Sequence, residues 1–349
     1  MFTKKSILRP MKNLFIIITC LSSCLISQEM KQIDISFEGE GRTYLIYKPI
    51  NFIKSSPIDL FIGIHGYGGT ASGFERETTG NFNKTADKYK FLTIYPQGKI
   101  FYEKKFLRKT FISSWNDLAG SKTITSVGET CAVDADIYPQ YPNCKSGGRC
   151  SWTSCVNDLG FIKEIIDRTK NEFNIRNIYV AGMSNGGMMA QALACKYPEL
   201  FSGVINVVGM QHQGLSCKPN SPVNFIIYGG AKDTTVPPVN IRAADGYFYE
   251  PMENTFDDWS KQFNCKSLVK SKKNQFDNIN EILAFDCDKN VTVTSILNND
   301  SGHLWPGVSG RVGYCRTPDQ DKLNYDNCKE AKVNPWGNDY LISKILSSD

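Results

Sequence analysis

Apolar and polar positions divide the N-terminal half of the chain into strand-like and helix-like segments. KQIDISFEGEGRTYLIYKP (31–49) alternates about Gly39 and Gly41, which predicts a β-hairpin. The continuous apolar run in IDLFIGIHGYGGT (58–70) is typical of a strand that is buried on both faces of a sheet. A polar helical stretch is predicted from Ser72 to Lys88, followed by a short strand, FLTIYP (91–96).

From Val156 onwards the pattern becomes regular. VNDLGFIKEIIDRTKNEF (156–173) has apolar residues at helical spacing, and the strand NIYVAG (177–182) follows it. GGMMAQALACKYPELF (186–201) predicts a helix that ends near Pro198, and SGVINVVG (202–209) and PVNFIIYGG (222–230) predict buried strands. This alternation indicates an α/β fold in which helices cover both faces of a mostly parallel sheet.

The chain shows no linker-like composition, internal repeat or low-complexity segment, so we expect one domain over residues 29–349. We expect a Cys-rich insertion at about 116–155, since this stretch holds Cys131, Cys144, Cys150 and Cys155 but no clear strand or helix pattern. A loop of this length is uncommon unless it is functional or cross-linked. The four cysteines favour cross-linking.

The first 28 residues have the layout of a secretory signal peptide. Four basic residues precede the apolar run Leu14 to Ile18, and small polar residues follow it. The run is too short to span a bilayer. Met11 could also be the true start, since MKNLFIII (11–18) by itself has the form of a signal-peptide opening. A bacterial lipoprotein signal is the alternative, because LSSC (21–24) resembles a lipobox that would leave Cys24 acylated.

Removal of residues 1–28 changes the net charge and the number of cysteines of the mature chain. The net charge of +5 falls to about +1, which leaves no basic field to suggest a nucleic-acid partner. Ten of the 12 cysteines remain. An even number in an exported chain predicts up to five disulfides and a secreted, extracellular protein. We expect Cys265 to pair with Cys287 and Cys315 with Cys328, and the other pairings stay open.

NIYVAGMSNGGMMAQ (177–191) places Ser184 between Gly182 and Gly186 at the spacing Gly-x-Ser-x-Gly. The motif alone is weak evidence. Its context is stronger, because a strand precedes the serine and a helix starts directly after it. That arrangement is a nucleophile elbow, in which the N–H groups at the start of the helix can stabilise an oxyanion. Ser184 is therefore our candidate nucleophile.

A serine hydroxyl needs a base beside it and a third group that orients the base. The chain has three histidines. His65 follows the first buried strand, where we expect a supporting role. His212 comes too soon after the elbow for the expected order Ser, Asp, His, so unless it is the base we expect it to be a surface or cleft residue. His303, in DSGHLWPG (300–307), fits the order Ser, Asp, His and is the candidate base.

Asp233 ends the strand of FIIYGGAKDTTVPP (225–238) and is the candidate orienting carboxylate. The competing aspartates are more simply explained as solvated charges; they are Asp257, Asp258, Asp286 and Asp300. Each chosen residue also has an ordinary interpretation, since Ser184 could serve a tight turn, Asp233 an Asx turn and His303 a loop. Their joint occurrence in the right order at strand ends favours catalysis. We expect neither metal nor cofactor, because three scattered histidines do not form a ligand set.

Several motifs together resemble the secreted polyhydroxybutyrate-depolymerase-like esterases, which include the feruloyl and acetylxylan esterases of carbohydrate esterase family 1. They are IHGYGGTASGF, YPQG, SWN, CVNDLGFIKEIID, VAGMSNGGMMA, GGAKDTTVPP and GHLWPG, between about Asp59 and Gly307. The resemblance implies an α/β-hydrolase fold and a triad of Ser184, Asp233 and His303. It also implies an oxyanion hole from the backbone N–H groups of Tyr67 and Asn185.

Two features depart from the resemblance. The family often has an aspartate pair where this chain has Asn157 and Asp158, and the insertion with four cysteines is longer than expected. Both leave the chemistry intact, but the insertion affects the shape of the acyl pocket.

The resulting expectation is a secreted serine carboxylesterase (EC 3.1.1 class), most simply a feruloyl esterase acting on a polymeric plant cell-wall ester. We expect no stable protein partner. His65, Trp115 and Trp305 are candidate substrate-binding residues, although these tryptophans, like Trp152, could equally pack internally. Polyester depolymerase and acetylxylan esterase are alternatives within the enzyme class. A non-catalytic binding protein on a hydrolase scaffold is the alternative outside it.

The chain also contains Asn-x-Ser/Thr triplets, which are acceptors for N-linked glycans if the host is eukaryotic. They begin at Asn83, Asn290 and Asn299.

Overall fold

The structure is a computed structural model that describes residues 30–78, 82–105, 108–117, 124–139, 141, 144, 149–273, 278–309, 332–333 and 336–347. The predicted signal peptide, with Cys24 and both candidate start methionines, lies outside the described residues. Within the described part of the chain, no helix is both long and apolar enough to cross a membrane.

The described residues form sixteen strands and six α-helices. The strands are β1 (Lys31–Phe37), β2 (Glu40–Tyr47), β3 (Ile58–Ile64), β4 (Phe91–Pro96), β5 (Lys99–Lys105), β6 (Arg108–Ser114), β7 (Ile124–Thr125), β8 (Gly128–Glu129), β9 (Ile175–Met183), β10 (Gly203–Val207), β11 (Asn224–Gly230), β12 (Ser267–Lys273), β13 (Ile279–Phe285), β14 (Val293–Asn298), β15 (Val308–Ser309) and β16 (Lys332–Val333). The helices are α1 (Ala71–Glu77), α2 (Phe82–Tyr89), α3 (Asp158–Glu172), α4 (Asn185–Lys196), α5 (Met252–Gln262) and α6 (Trp336–Leu346).

A ten-stranded sheet forms the centre of the described structure, in the order β1-β2-β4-β3-β9-β10-β11-β14-β13-β12. The six strands from β4 to β14 in this order pair in parallel, and the strands at both edges pair antiparallel. The predicted hairpin is β1 and β2. The mostly parallel sheet is therefore confirmed, and the carboxyl ends of its parallel strands lie along one edge, where ligand sites form in open α/β sheets.

Helices cover both faces of the sheet. The apolar strand β3 sends Leu60, Ile62 and Ile64 into a cluster with α3, α4 and α5. The intervening Phe61 joins a second cluster, which includes residues of α1, α2 and α6. Side chains alternate between the two faces of a strand, so a strand buried on both faces must be apolar at successive positions. This is the physical basis of the continuous apolar runs in the sequence.

The helical stretch predicted from Ser72 to Lys88 differs in the structure. It is divided into α1 and α2, and residues 79–81 between them are outside the described set. The Thr78 hydroxyl donates to the carbonyl of Phe74 at 2.8 Å, which satisfies a carbonyl at the end of α1. The prediction of one continuous helix was wrong: α1 ends at Glu77, three residues before Gly80, and glycine in this position of the sequence is itself a signal for the end of a helix.

Four disulfides are present in the described residues: Cys131–Cys150, Cys144–Cys155, Cys195–Cys217 and Cys265–Cys287. The predicted pair Cys265–Cys287 is confirmed. The predicted pair of Cys315 with Cys328 lies outside the described residues. Disulfides in this number are consistent with an extracellular protein. Two of them lie within residues 116–155, hereafter the cysteine-rich segment.

The Asn-x-Ser/Thr triplets differ in accessibility. The Asn83 side chain is buried and accepts a hydrogen bond from the Tyr95 hydroxyl at 2.7 Å, so this amide is poorly placed for a glycan. Asn290 is exposed.

Candidate functional site

Ser184 lies between β9 and α4 in a strained backbone conformation. Its φ is 57° and its ψ is −126°, and its side chain makes no capping hydrogen bond to the helix that follows. The Ser184 amide donates to the carbonyl of Val207 on the neighbouring strand at 2.8 Å, which fixes the turn to the sheet. A serine rarely adopts such a conformation without a functional reason. The structure thus has the geometry of the predicted nucleophile elbow.

The two glycines of the motif are required by close backbone contacts. A Cβ atom on Gly182 would lie 2.0 Å from the carbonyl oxygen of Gly186. A Cβ atom on Gly186 would lie 2.1 Å from the carbonyl oxygen of Ile64, at the end of β3. Both neighbours are backbone atoms and cannot move aside cheaply. The glycines therefore allow the turn and α4 to pack directly on the strands.

Asp233 and His303 meet at the carboxyl ends of β11 and β14. Nδ1 of His303 is 2.7 Å from Oδ2 of Asp233. The other carboxylate oxygen, Oδ1, accepts hydrogen bonds from the amides of Thr235 at 2.8 Å and Val236 at 3.0 Å. The Asp233 side chain is fully buried. The carboxylate is thus held rigidly and can fix the orientation of the imidazole.

The second imidazole nitrogen of His303 is available for chemistry. With Nδ1 donating to Asp233, Nε2 carries a lone pair, and it is buried without a hydrogen-bond partner among the described residues. His303 and Ser184 line the same cavity, which has a volume of about 180 Å³. The structure therefore brings all three predicted triad residues to one place.

The remaining walls of this cavity are largely aromatic. They comprise Tyr67, Tyr138, Trp152, Met188, Thr235, Val236, Asp245 and Tyr249. Trp152 packs edge-on to Tyr67, with ring centroids 5.6 Å apart, and Tyr67 packs edge-on to Tyr138 at 5.4 Å. Such rings offer a large apolar surface to a substrate at little entropic cost, because they are already fixed.

Of the two residues predicted to form an oxyanion hole, one lines the cavity and the other follows the candidate nucleophile in the chain. Tyr67 lines the cavity, and Asn185 is the first residue of α4, directly after Ser184. The first N–H groups of a helix have no partner within the helix and point outwards. The Asn185 side chain is occupied elsewhere, since its Oδ1 accepts from the Trp115 amide at 2.7 Å. Their role in catalysis remains a prediction.

His65, predicted to contact substrate, does not line the cavity. His65 is 1% exposed, and burial lowers its pKa to about 4. Its Nε2 accepts from the Gly98 amide at 3.0 Å and its Nδ1 lies 2.8 Å from the Gly66 carbonyl, which fits a neutral ring. This placement supports the alternative expectation of a supporting role for the loop that contains Tyr67.

Trp115 and Trp305 are also internal. The indole N–H of Trp115 donates to the His65 carbonyl at 2.8 Å, and that of Trp305 donates to Oδ1 of Asn338 at 2.8 Å. Both rings are buried, and neither belongs to the cavity wall. Their placement does not support substrate contact, because each indole instead bridges two parts of the interior. We expected that Trp152 could equally pack internally, but its side chain lines the cavity.

His212 explains how Trp152 is held. We expected a surface or cleft residue if His212 was not the base, which was wrong, since it is fully buried. Its Nε2 accepts a hydrogen bond from the Trp152 indole at 3.1 Å, and burial lowers its pKa to about 3. A neutral, buried imidazole therefore fixes one wall of the cavity. No local pattern in the sequence marks this contact, which joins residues 60 positions apart.

Asp158, half of the pair that departs from the family pattern, is structural. It is buried and forms an ion pair with Arg42 at 2.6 Å, while also accepting from the Asn116 amide and the Ser154 hydroxyl, both at 2.8 Å. Burial is the main influence on its pKa, which is raised. Asn157 caps α3 by accepting from the Gly160 amide at 2.9 Å. These contacts tie both ends of the cysteine-rich segment to the sheet.

No protein-family model matches the chain. It is 25% identical over 169 residues to acetylxylan esterase A of Emericella nidulans. The matched region is 48% of this chain and 42% of that protein. A second relative, from Nocardia uniformis subsp. tsuyamanensis, bears the esterase name NocK. It is 32% identical over 78 residues, and the matched region is 21% of this chain and 23% of that protein. The matched regions thus span less than half the length of these curated relatives.

Among solved structures, the chain is similar to acetyl xylan esterase from Aspergillus awamori. The TM-score is 0.52 at 16% identity, over 79% of this chain and 95% of that chain. At this level of identity the likeness concerns the fold. Together with the parallel sheet and the elbow between β9 and α4, it shows that the protein has the α/β-hydrolase fold.

Proposed function

We propose that the protein is a serine carboxylesterase in which Ser184 is the nucleophile, His303 the general base and Asp233 the orienting carboxylate. The observation that carries the proposal is the geometry at the sheet edge. A serine in a strained elbow shares a cavity with a histidine that pairs with a buried aspartate through one nitrogen and leaves the other unoccupied. The esterase names of the two matched relatives agree with it.

In the proposed first step, Nε2 of His303 accepts the proton of the Ser184 hydroxyl while Oγ attacks the ester carbonyl carbon. The tetrahedral intermediate collapses as the carbon–oxygen bond of the ester breaks, and the alcohol leaves with the proton from His303. Asp233 stabilises the imidazolium that exists between these two proton transfers. The product of this half-reaction is an acyl ester on Ser184.

In the second step a water molecule takes the place of the alcohol. His303 removes its proton as the water oxygen attacks the acyl carbon, and the proton returns to Ser184 when the acid leaves. The negative charge that develops on the carbonyl oxygen in both steps is stabilised by the N–H groups of Tyr67 and Asn185 and by the N-terminus of α4.

For the acyl group we propose an aromatic acid, as in a feruloyl esterase that acts on polysaccharide esters outside the cell. An acetyl group has a single methyl carbon beyond its carbonyl and would leave most of a cavity of about 180 Å³ unfilled. The fixed rings of Tyr67, Tyr138 and Trp152 suit a flat, apolar acyl group better. Acetylxylan is the second candidate substrate, favoured by the name of the relative that matches 48% of this chain.

The test compares wild type with Ser184→Ala on 4-nitrophenyl acetate, methyl ferulate and acetylated xylan. We expect hydrolysis by wild type and a loss of at least about 10⁴-fold in the variant, since the nucleophile and its base act as one unit. Circular dichroism should show that the variant keeps its fold. Unchanged turnover in Ser184→Ala would refute the proposal. Faster release of acetate from xylan than of ferulate from its ester would select the second substrate.

A further inference from the structure

Asp245 is the one acidic residue among the described residues that line the cavity, and its neighbour Tyr138 is one of four aromatic residues there. Its carboxylate takes no part in the proposed mechanism. It lies in the stretch between β11 and α5, whereas Tyr138, beside it, belongs to the cysteine-rich segment. The Tyr138 hydroxyl donates to Oδ2 of Asp245 at 2.8 Å, and the Tyr247 amide donates to Oδ1 at 3.2 Å.

The position of this carboxylate is fixed by the backbone around it. The Asp136 amide donates to the Asp245 carbonyl at 2.8 Å, and the Ala132 amide donates to the Gly246 carbonyl at 2.8 Å. Gly246 has a φ of 89°, and a Cβ atom there would lie 2.7 Å from the backbone of Ala135. Backbone hydrogen bonds therefore hold the cysteine-rich segment against the stretch that contains Asp245. A polar group held in this way is preorganised for recognition.

The arginines nearest to Asp245 along these two stretches are paired with other acids. Arg242 forms an ion pair with Asp134 at 2.9 Å, and Arg149 pairs with Glu129 at 2.9 Å. Burial is the main influence on the pKa of Asp245, which is raised. A carboxyl group can accept about four hydrogen bonds, and the bonds from Tyr138 and Tyr247 leave some of that capacity unused.

Among the described residues no cation pairs with Asp245, and a half-buried carboxyl in that position is costly unless a ligand completes its hydrogen bonds. A neutral hydroxyl donor can complete these hydrogen bonds without bringing a second charge out of water. Among the groups that an ester substrate can bring into an aromatic cavity, a ring hydroxyl combines a donor with a flat apolar frame. An ether at the same position of the ring offers no hydrogen to donate.

We propose that Asp245, positioned by Tyr138, is a specificity-determining residue that accepts a hydrogen bond from a hydroxyl group on the aromatic acyl part of the substrate. This inference rests on the proposed esterase function. The carboxyl selects acyl groups whose ring carries a free hydroxyl over the same groups capped as methyl ethers. It also rejects acyl groups that carry a carboxylate, since two like charges would meet in a half-buried site.

The experiment measures kcat/KM for three methyl cinnamates that differ only at the para position, which carries a hydroxyl, a methoxy group or a carboxylate. Wild type should prefer the hydroxyl ester over the methoxy ester by about tenfold or more, because loss of the donor leaves the buried acceptor unsatisfied. The carboxylate ester should be the poorest substrate. Asp245→Asn should reduce the hydroxyl-to-methoxy ratio to within about twofold and should raise the relative rate of the carboxylate ester.

The matched control is Asp134→Asn, an exposed aspartate on the same segment as Tyr138 that pairs with Arg242. It should keep the wild-type ratio and the wild-type hydrolysis of 4-nitrophenyl acetate. If Asp245→Asn fails to fold, Tyr138→Phe replaces it. This variant removes the hydroxyl that holds Oδ2, and it should lower the ratio while Asp134→Asn does not.

The outcomes separate this inference from the function on which it rests. A wild-type protein that hydrolyses neither 4-nitrophenyl acetate nor any cinnamate refutes the esterase proposal itself. A wild-type protein that hydrolyses the hydroxyl and methoxy esters equally, or an Asp245→Asn variant that keeps the wild-type ratio, overturns the role of Asp245 alone.

Discussion

The cavity has two sides that are built in different ways. On one side, Ser184, Asp233 and His303 follow three parallel strands, β9, β11 and β14, and their positions are set by the order of the sheet. On the other side, Tyr138 and Trp152 come from the cysteine-rich segment and meet Asp245 and Tyr249 through contacts between distant parts of the chain. We therefore propose that the sheet edge supplies the chemistry and that the cysteine-rich segment, together with Asp245, supplies the selectivity.

The largest effect should come from the sheet edge. Asp233→Asn replaces the carboxylate beside His303 with an amide, which no longer favours the ring tautomer that leaves Nε2 as an acceptor. We expect kcat for 4-nitrophenyl acetate to fall by about 10⁴-fold with little change in the fold. Steady-state kinetics and circular dichroism check this.

Asp300→Asn is the control for that change. Asp300 lies three residues before His303, is exposed and pairs with Lys232 at 3.2 Å. It should keep wild-type kcat. A decrease of less than about tenfold in Asp233→Asn would contradict the assignment of the orienting carboxylate.

A smaller effect, of a different kind, should follow removal of the disulfide Cys131–Cys150. The bridge closes a stretch of 19 residues that includes Tyr138, and its loss should cost about 3 kcal/mol of stability by the loop-entropy estimate. Because the wall of the cavity loosens, Cys131→Ala/Cys150→Ala should also lose several-fold in kcat/KM for methyl ferulate relative to 4-nitrophenyl acetate. Urea denaturation and kinetics measure the two effects.

The pair Cys265–Cys287 gives a matched control, since it spans 22 residues and joins the ends of β12 and β13, away from the cavity wall. Cys265→Ala/Cys287→Ala should lose similar stability while keeping the wild-type ratio of the two substrates. Equal loss of selectivity in both double variants would mean that the cysteine-rich segment has no special role in it.

The smallest effect concerns His212 beneath Trp152. Its pKa is about 3 in the folded chain and near 6.5 in the unfolded chain, so the unfolded chain binds a proton first as the pH falls. The contribution of neutral His212 is present above pH 6.5 and decreases by up to about 1.4 kcal/mol per pH unit below it. His212→Gln keeps an acceptor for the Trp152 indole but does not titrate.

The free energy of unfolding of His212→Gln should therefore fall less steeply than that of wild type between pH 6.5 and 4.5, by about 1 kcal/mol per pH unit. Urea titrations at three pH values give this difference in slope. Parallel slopes for the two proteins would show that His212 is not kept neutral by burial.

The two sides also differ in how far the sequence predicts them. The elbow could be found because its requirements are local: a strand, two glycines that avoid backbone clashes, and a helix that starts at once. Asp233 and His303 followed from their place after apolar strands and from the scarcity of histidine. In contrast, the bond between Tyr138 and Asp245 joins residues 107 positions apart, and no local pattern marks it.

The tryptophans illustrate the same limit. Trp115, Trp152 and Trp305 look alike in sequence, since each lies in a loop near a candidate site. The structure separates them by the partner of the indole N–H, which is the His65 carbonyl, the His212 ring or the Asn338 amide. Only the tertiary structure determines that the Trp152 ring faces the cavity.

The most direct test of the account is to locate the nucleophile. The purified protein is treated with a fluorophosphonate, digested, and analysed by mass spectrometry for the modified residue. We predict one adduct, on the peptide that contains Ser184, and no labelling in Ser184→Ala or after prior inactivation with phenylmethylsulfonyl fluoride. Labelling that is absent from the wild type, or that persists at another serine in Ser184→Ala, would contradict the assignment of this site as a serine esterase centre.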